Sequence, residues 1–112
     1  MAVRLRLRRA GRRHYSFFHI VAADSRAPRD GAFIEKIGYY DPNKNPALIQ
    51  VDHDRALYWL MRGAQPTETV RSLLSRSGVL LKLHLMRKGK SPEEIAQAYA
   101  AWQSQKAAKA AR

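Results

Sequence analysis

The stretch Val3–Ala23, VRLRLRRAGRRHYSFFHIVAA, decides the fold class. Val3, Leu5 and Leu7 alternate with Arg4, Arg6 and Arg8, and a period of two predicts a strand with one apolar and one cationic face. RRAGRRH reads as a turn around Gly11, after which YSFFHIVAA resumes strand-like composition. A hairpin therefore opens the chain, charged on a face and at its tip. Six arginines and His14 precede Asp24, the first acid. Charge at this density repels itself, so the segment calls for a polyanion.

The whole chain carries the same bias. Its 112 residues suit one domain with a real core, and 46% hydrophobic content separates it from a disordered basic tail. A formal net charge of +12 favours nucleic acid, an anionic membrane or an acidic protein as partner. No cysteine is present, which excludes disulfides, thiol catalysis and cysteine metal sites. No apolar run reaches the ~20 residues of a membrane helix. The arginine-rich start resembles a transit peptide in composition only, since its period is that of a strand. The chain is expected to begin inside its own domain.

Beyond the hairpin, DSRAPRDGAF (Asp24–Phe33) has loop composition. A third strand is expected over Phe33–Tyr40, closed by Asp41-Pro42, and a short fourth over Leu48–Val51. Strands this close together, without helical spacers, predict an antiparallel or mixed sheet. Helical patterns follow. Asp52 caps a helix to about Arg62, with Ala56, Leu57, Leu60 and Met61 on its apolar face and Gly63 as its stop. Thr67 caps a second, with Val70, Leu73 and Leu74 as its stripe and Gly78 as its end. VLLKLHLMRK fits strand or helix, and the following Gly89 favours helix. In SPEE, Ser91, Pro92 and Glu94 form a capping box for a helix sharing Ile95, Tyr99 and Trp102 on one face. The basic tail after Trp102 is expected to fray or to bind something. The fold class is α+β: a mostly antiparallel or mixed sheet of four to five strands, two helices against it, and a C-terminal helical extension.

Catalysis finds no constellation. His14, His19, His53 and His84 are scattered without metal-ligand spacing, and DHD (Asp52–Asp54) is better explained as a helix start. RKGKS lacks the first glycine of a phosphate-binding loop, where His84 stands. No catalytic residue, metal, cofactor or small-molecule substrate is expected.

Nucleic-acid contact has better support. Arginine grips phosphate with a planar fork and stays charged at any relevant pH. Arg4, Arg6 and Arg8 repeat every ~6.5 Å along a strand, close to the phosphate spacing of one nucleic-acid strand. Arg9, Arg12, Arg13 and His14 extend the cluster to the hairpin tip. Edge protection against aggregation is the competing explanation, and three arginines would suffice for it. Ser25, Arg26 and Arg29 offer a second candidate in the loop, against a solvated turn with charges paired internally. Trp59, beside Arg55 and Arg62, is a third: it either stacks a base or is buried by a neighbouring helix.

FIEKIGYYDP, with DSRAPRDG before it and RALYWLMRGAQPTETVRSLL after it, resembles the bacterial small-subunit ribosomal protein sixteen family over roughly residues 2–80. The resemblance implies a compact α+β fold, binding to 16S ribosomal RNA mainly in its 5′ domain, and a part in assembling the small subunit. It implies neighbouring small-subunit proteins as partners, a cytoplasmic ribosomal location and no enzyme activity. Its RNA-facing regions carry over as Arg4–His14 and Ser25–Arg29. Residues 1–80 would form the RNA-binding domain and residues 81–112 a helical extension beyond the shorter family pattern. A non-specific DNA-binding architectural protein is the alternative, although it would more naturally carry a groove-reading helix or a wedge.

Overall fold

In the computed structural model, which describes residues 2–28 and 31–110 with the side chains of Arg12 and Ala110 left aside, β1 (Val3–Arg12) and β2 (Tyr15–Asp24) form the opening hairpin. They pair antiparallel from Val3↔Asp24 to Arg12↔Tyr15. The turn is Arg13–His14, two residues beyond the expected position. Gly11 instead lies within β1 at φ 93°, where a Cβ would sit 2.3 Å from the Tyr15 carbonyl oxygen. That close approach requires glycine, which explains why it resembled a turn residue.

β3 (Glu35–Asp41) and β4 (Leu48–Val51) continue the antiparallel sheet, β3 starting two residues later than expected. A register shift between Ile20 and Val21 interrupts the β2–β3 ladder. The helices are α1 (His53–Met61), α2 (Glu68–Ser77), α3 (Val79–Arg87) and α4 (Pro92–Ala110). Asp52 caps α1 by accepting from the Arg55 amide, and Thr67 caps α2 by accepting from Val70. Ser91 Oγ accepts from the Glu94 amide at 3.2 Å, as the capping motif predicts. Gly78 ends α2 in the left-handed conformation and starts α3 at once, so VLLKLHLMRK is helical. The chain beyond Trp102 is helical as far as Ala110 rather than frayed.

Between α1 and α2, Gln65–Pro66 forms β5, pairing parallel with β1. Two residues, one of them proline, carry no periodic signal of a strand. The sheet order is β4-β3-β2-β1-β5, a mixed five-stranded sheet in an α+β fold.

The core lies between one sheet face and the helices. Leu5 pairs with Ala22 and Leu7 with Ile20, which puts the apolar residues of the opening repeat on the helical side. Leu5, Ile20 and Ala22 are fully buried with Ile37, Ala56, Leu60, Val70 and Leu74. Met61 is the exception on the α1 apolar face, at 49% exposure. Val79 and Leu83 of α3 also join this core, so residue 80 falls inside an element of the packed body.

Candidate nucleic-acid interface

The side of the sheet away from the helices carries the arginines. Cross-strand pairing puts Arg4 opposite Ala23, Arg6 opposite Val21 and Arg8 opposite His19. Val21 in turn faces Lys36 on β3, so a lysine joins this surface. Sequence periodicity does not single out Lys36, because the register shift disturbs the alternation of β3.

Ala27, Pro28 and Gly31, in the described parts of the loop after β2, are tied to this face. Arg6 Nη2 donates to the carbonyl oxygens of Ala27 at 2.7 Å and Pro28 at 3.0 Å. Arg8 Nε donates to the Gly31 carbonyl at 3.3 Å, and its guanidinium lies 5.3 Å from the centre of the Phe33 ring. Val21 and Ala23 are only 1% exposed although they lie on the side opposite the core. The loop and the arginine stems shield them. Arg6 Nε is buried without a hydrogen-bond partner among the described residues. The two arginines thus combine a structural task with their charge, and five N–H donors per guanidinium leave capacity for an anion.

The remaining sequence-predicted residues take distinct places. The Arg4 side chain is exposed and makes no hydrogen bond or ion pair among the described residues. Arg9 Nη2 donates to Ser16 Oγ at 3.0 Å. Arg13 and His14 are exposed at the hairpin tip. Arg26 is held by Asp24, which accepts from its amide at 2.9 Å and from its guanidinium at 3.2 and 3.3 Å. Arg26 holds the Asp24 carboxyl below its usual pKa. The internal charge pairing considered for this loop is therefore present, while most of the Arg26 side chain stays exposed. Ser25 is half-buried. Arg29, Asp30 and the Arg12 side chain lie outside the described residues.

The tip end of the hairpin is tied to a neighbouring turn. Tyr15 Oη donates to Asp41 Oδ2 at 2.6 Å, Asn43 donates to Asp41 Oδ1 through its amide and its side chain, and Asn43 Nδ2 also donates to the Ser16 carbonyl. A buried carboxylate thereby locks the hairpin to the β3–β4 turn, just behind the cationic tip. His19 lies on the arginine face, where burial first, then Lys36 and Arg8, lower its pKa.

Comparison with known proteins takes in the hairpin tip and the loop, while Arg4, Arg6 and Arg8 precede the segment matched by a family model. Residues 9–67 match the family model described as Ribosomal protein S16. The chain belongs to that family. Small ribosomal subunit protein bS16 of Bacteroides fragilis is 54% identical over 110 residues, covering 95% of this chain and 61% of the relative. The protein of the same name from Azobacteroides pseudotrichonymphae is 60% identical over 86 residues, covering 77% of this chain and 52% of the relative. That of Prosthecochloris aestuarii is 51% identical over 107 residues, covering 96% of this chain and 79% of the relative. The chain thus spans between half and two thirds of the length of the Bacteroides and Azobacteroides relatives. Similarity over 95% of the chain takes in α3 and most of α4, well past the residue 80 at which the resemblance in sequence motifs stops. The family is one of ribosomal structural proteins and not of enzymes.

Two other sequence candidates resolve within this frame. Among the described residues, no group of three or more His, Asp or Glu side chains could hold a metal ion, and no helix is long and apolar enough to cross a membrane. Trp59 is half-buried against the core, and its indole N–H donates to Glu35 Oε1 at 2.8 Å. Arg55 meets the same carboxylate in two hydrogen bonds of 2.6 Å. Of the trio Arg55, Trp59 and Arg62, one arginine is therefore spent on structure.

Proposed function

We propose that this chain is a structural RNA-binding protein of the bacterial small ribosomal subunit, holding 16S ribosomal RNA during assembly and in the finished particle. The observation that carries the proposal is the arginine-bearing strand and tip of β1–β2, tied down next to its turn by Tyr15 and Asp41, with no acid between Arg4 and Asp24. Arg4, Arg6, Arg8, Arg9, Arg12, Arg13 and His14 neutralise phosphates where RNA segments approach, with Ser25, Arg26 and Arg29 as a flanking contact. Phosphate contacts from a rigid sheet read RNA shape more than sequence. Neighbouring small-subunit proteins are the further partners, in the cytoplasm. The packed body through α3 carries the RNA contacts, and α4 is an accessory extension.

Sedimentation of a bacterial lysate tests the assignment: the protein should co-migrate with the small subunit. Confinement to free-protein or nucleoid fractions would remove the ribosomal reading and favour the DNA-binding alternative. Six arginine–phosphate contacts also predict a slope of log affinity against log salt of about −4 to −5 for 16S 5′-domain RNA.

A further inference from the structure

The edge of the sheet at β1 and β5 holds a cleft of about 370 Å³, lined by Arg4, Ser25, Trp59, Arg62, Gly63 and Gln65 among others. We propose that this cleft takes one unpaired RNA nucleotide, its phosphate between Arg4 and Arg62 and its base along the Trp59 indole. The inference rests on the RNA-binding reading above and assigns a site that the strand arginines alone do not make.

Two cations reach the cleft from separate elements. Arg4 comes from β1, and Arg62 follows the last turn of α1; the parallel pairing of Arg4 with Gln65 brings these segments together. Among the described residues, no carboxylate lines the cleft. The nearby acids are paired, Asp24 with Arg26, and Glu35 with Arg55 and the Trp59 indole N–H. The net field inside is positive, which selects an anion.

Arg62 is held in place by stacking: its guanidinium lies 3.6 Å from the centre of the Tyr58 ring. The indole is oriented by its hydrogen bond to Glu35, which occupies its polar edge and leaves stacking as the chemistry of the ring. Aromatic rings accept any base by stacking. At Gly63, φ is 89° and no atom lies within 4 Å of where a Cβ would stand, so the backbone leaves open room beside Arg62.

The volume lies near the lower end for small-ligand pockets. It matches a nucleotide and excludes a duplex. The direction of the site is also set, because Arg4 begins the row that continues through Arg6 and Arg8. Two residues of strand rise, ~6.6 Å, carry the next phosphate toward Arg6.

The test uses the full chain with Trp102→Phe, so that Trp59 is the sole tryptophan, titrated with 16S 5′-domain RNA over a salt series. Binding should quench Trp59 emission. Arg62→Ala should weaken binding about tenfold, lower the salt slope by about one and abolish the quench. Arg87→Ala, the same charge change at the end of α3, should leave the quench intact. Flat Trp59 emission on RNA binding, or equal slopes for Arg62→Ala and Arg87→Ala, overturns the site while leaving the RNA-binding reading in place. Failure of the parent chain to bind this RNA removes both.

Discussion

Arg6 donates to the carbonyl oxygen of Ala27 across 21 residues of sequence, 2.7 Å away, and so anchors the loop after β2 to the cationic face. A side chain that alternation assigns to solvent is a structural tether. Arg6→Ala should therefore lower stability by about 1.5–3 kcal/mol, the range for hydrogen bonds made by a charged group. Arg4→Ala, lacking such bonds, should stay within about 0.5 kcal/mol. Chemical denaturation of both variants separates the two roles. Equal stabilities would show that the loop holds itself.

The hairpin tip behaves differently. Arg13 is exposed in the turn, beyond the Tyr15–Asp41–Asn43 lock. Replacing Arg12 and Arg13 together by alanine should change stability by no more than about 0.5 kcal/mol. Binding to 16S RNA should weaken, with a salt slope smaller by about two units. Parent-like affinity in a normally folded variant would return the tip to an edge-protection role. Leu5→Ala should do the reverse, losing about 2–5 kcal/mol because the side chain is fully buried.

Glu35 ties β3 to α1, and its pKa is lowered chiefly by the hydrogen bonds from Arg55, with the Trp59 indole helping and burial opposing. A carboxyl whose folded pKa lies below its unfolded value stabilises the fold above that unfolded value, about 4.5. The contribution fades as pH falls through the lowered folded value. Asp24 and Asp41, both lowered, act with the same sign. Stability should therefore drop from about pH 4.5 downward, and Glu35→Gln should be less stable at neutral pH with a shallower acid limb. Urea midpoints measured from pH 7 to pH 2 give the comparison. A Glu35→Gln profile parallel to the parent would exclude this pair as a source of acid sensitivity.

Gly78 joins α2 to α3 at φ 87°, and a Cβ there would lie 2.5 Å from a Tyr99 ring carbon and 3.0 Å from Trp102. Gly63 has a similar φ of 89° but nothing within 4 Å. Gly63→Ala should cost roughly 1–2 kcal/mol through left-handed strain alone. Gly78→Ala adds a clash with α4, so it should cost more and speed hydrogen exchange across Pro92–Ala110. Matching exchange in the two variants would mean that α4 does not depend on this contact.

Among the described residues, none of α4 belongs to the buried core cluster. A chain ending at Lys90 should consequently unfold cooperatively and keep its affinity for small-subunit RNA, with a lower melting temperature. Loss of cooperative unfolding would make Ile95, Tyr99 and Trp102 part of the required core.

Much of this was legible in the residues themselves, because local physics dictates it. A period of two in Val3–Arg8 implies a two-faced strand, and Asp52, Thr67 and Ser91 satisfy the free amides of helix starts whatever lies around them. The absence of acids before Asp24 is equally local, so the cationic surface followed from order and composition. Tertiary structure decided the rest. Gly11 is set by a carbonyl on the opposite strand, β5 exists only because α1 returns the chain beside β1, and Lys36 joins the arginine face through a shifted register. Arg6 and Arg8 acquired a structural task, and Arg4 gained Arg62 as a neighbour, through folding alone. Periodicity reports the direction of a side chain relative to its own strand; which distant group waits there depends on how the strands and helices pack.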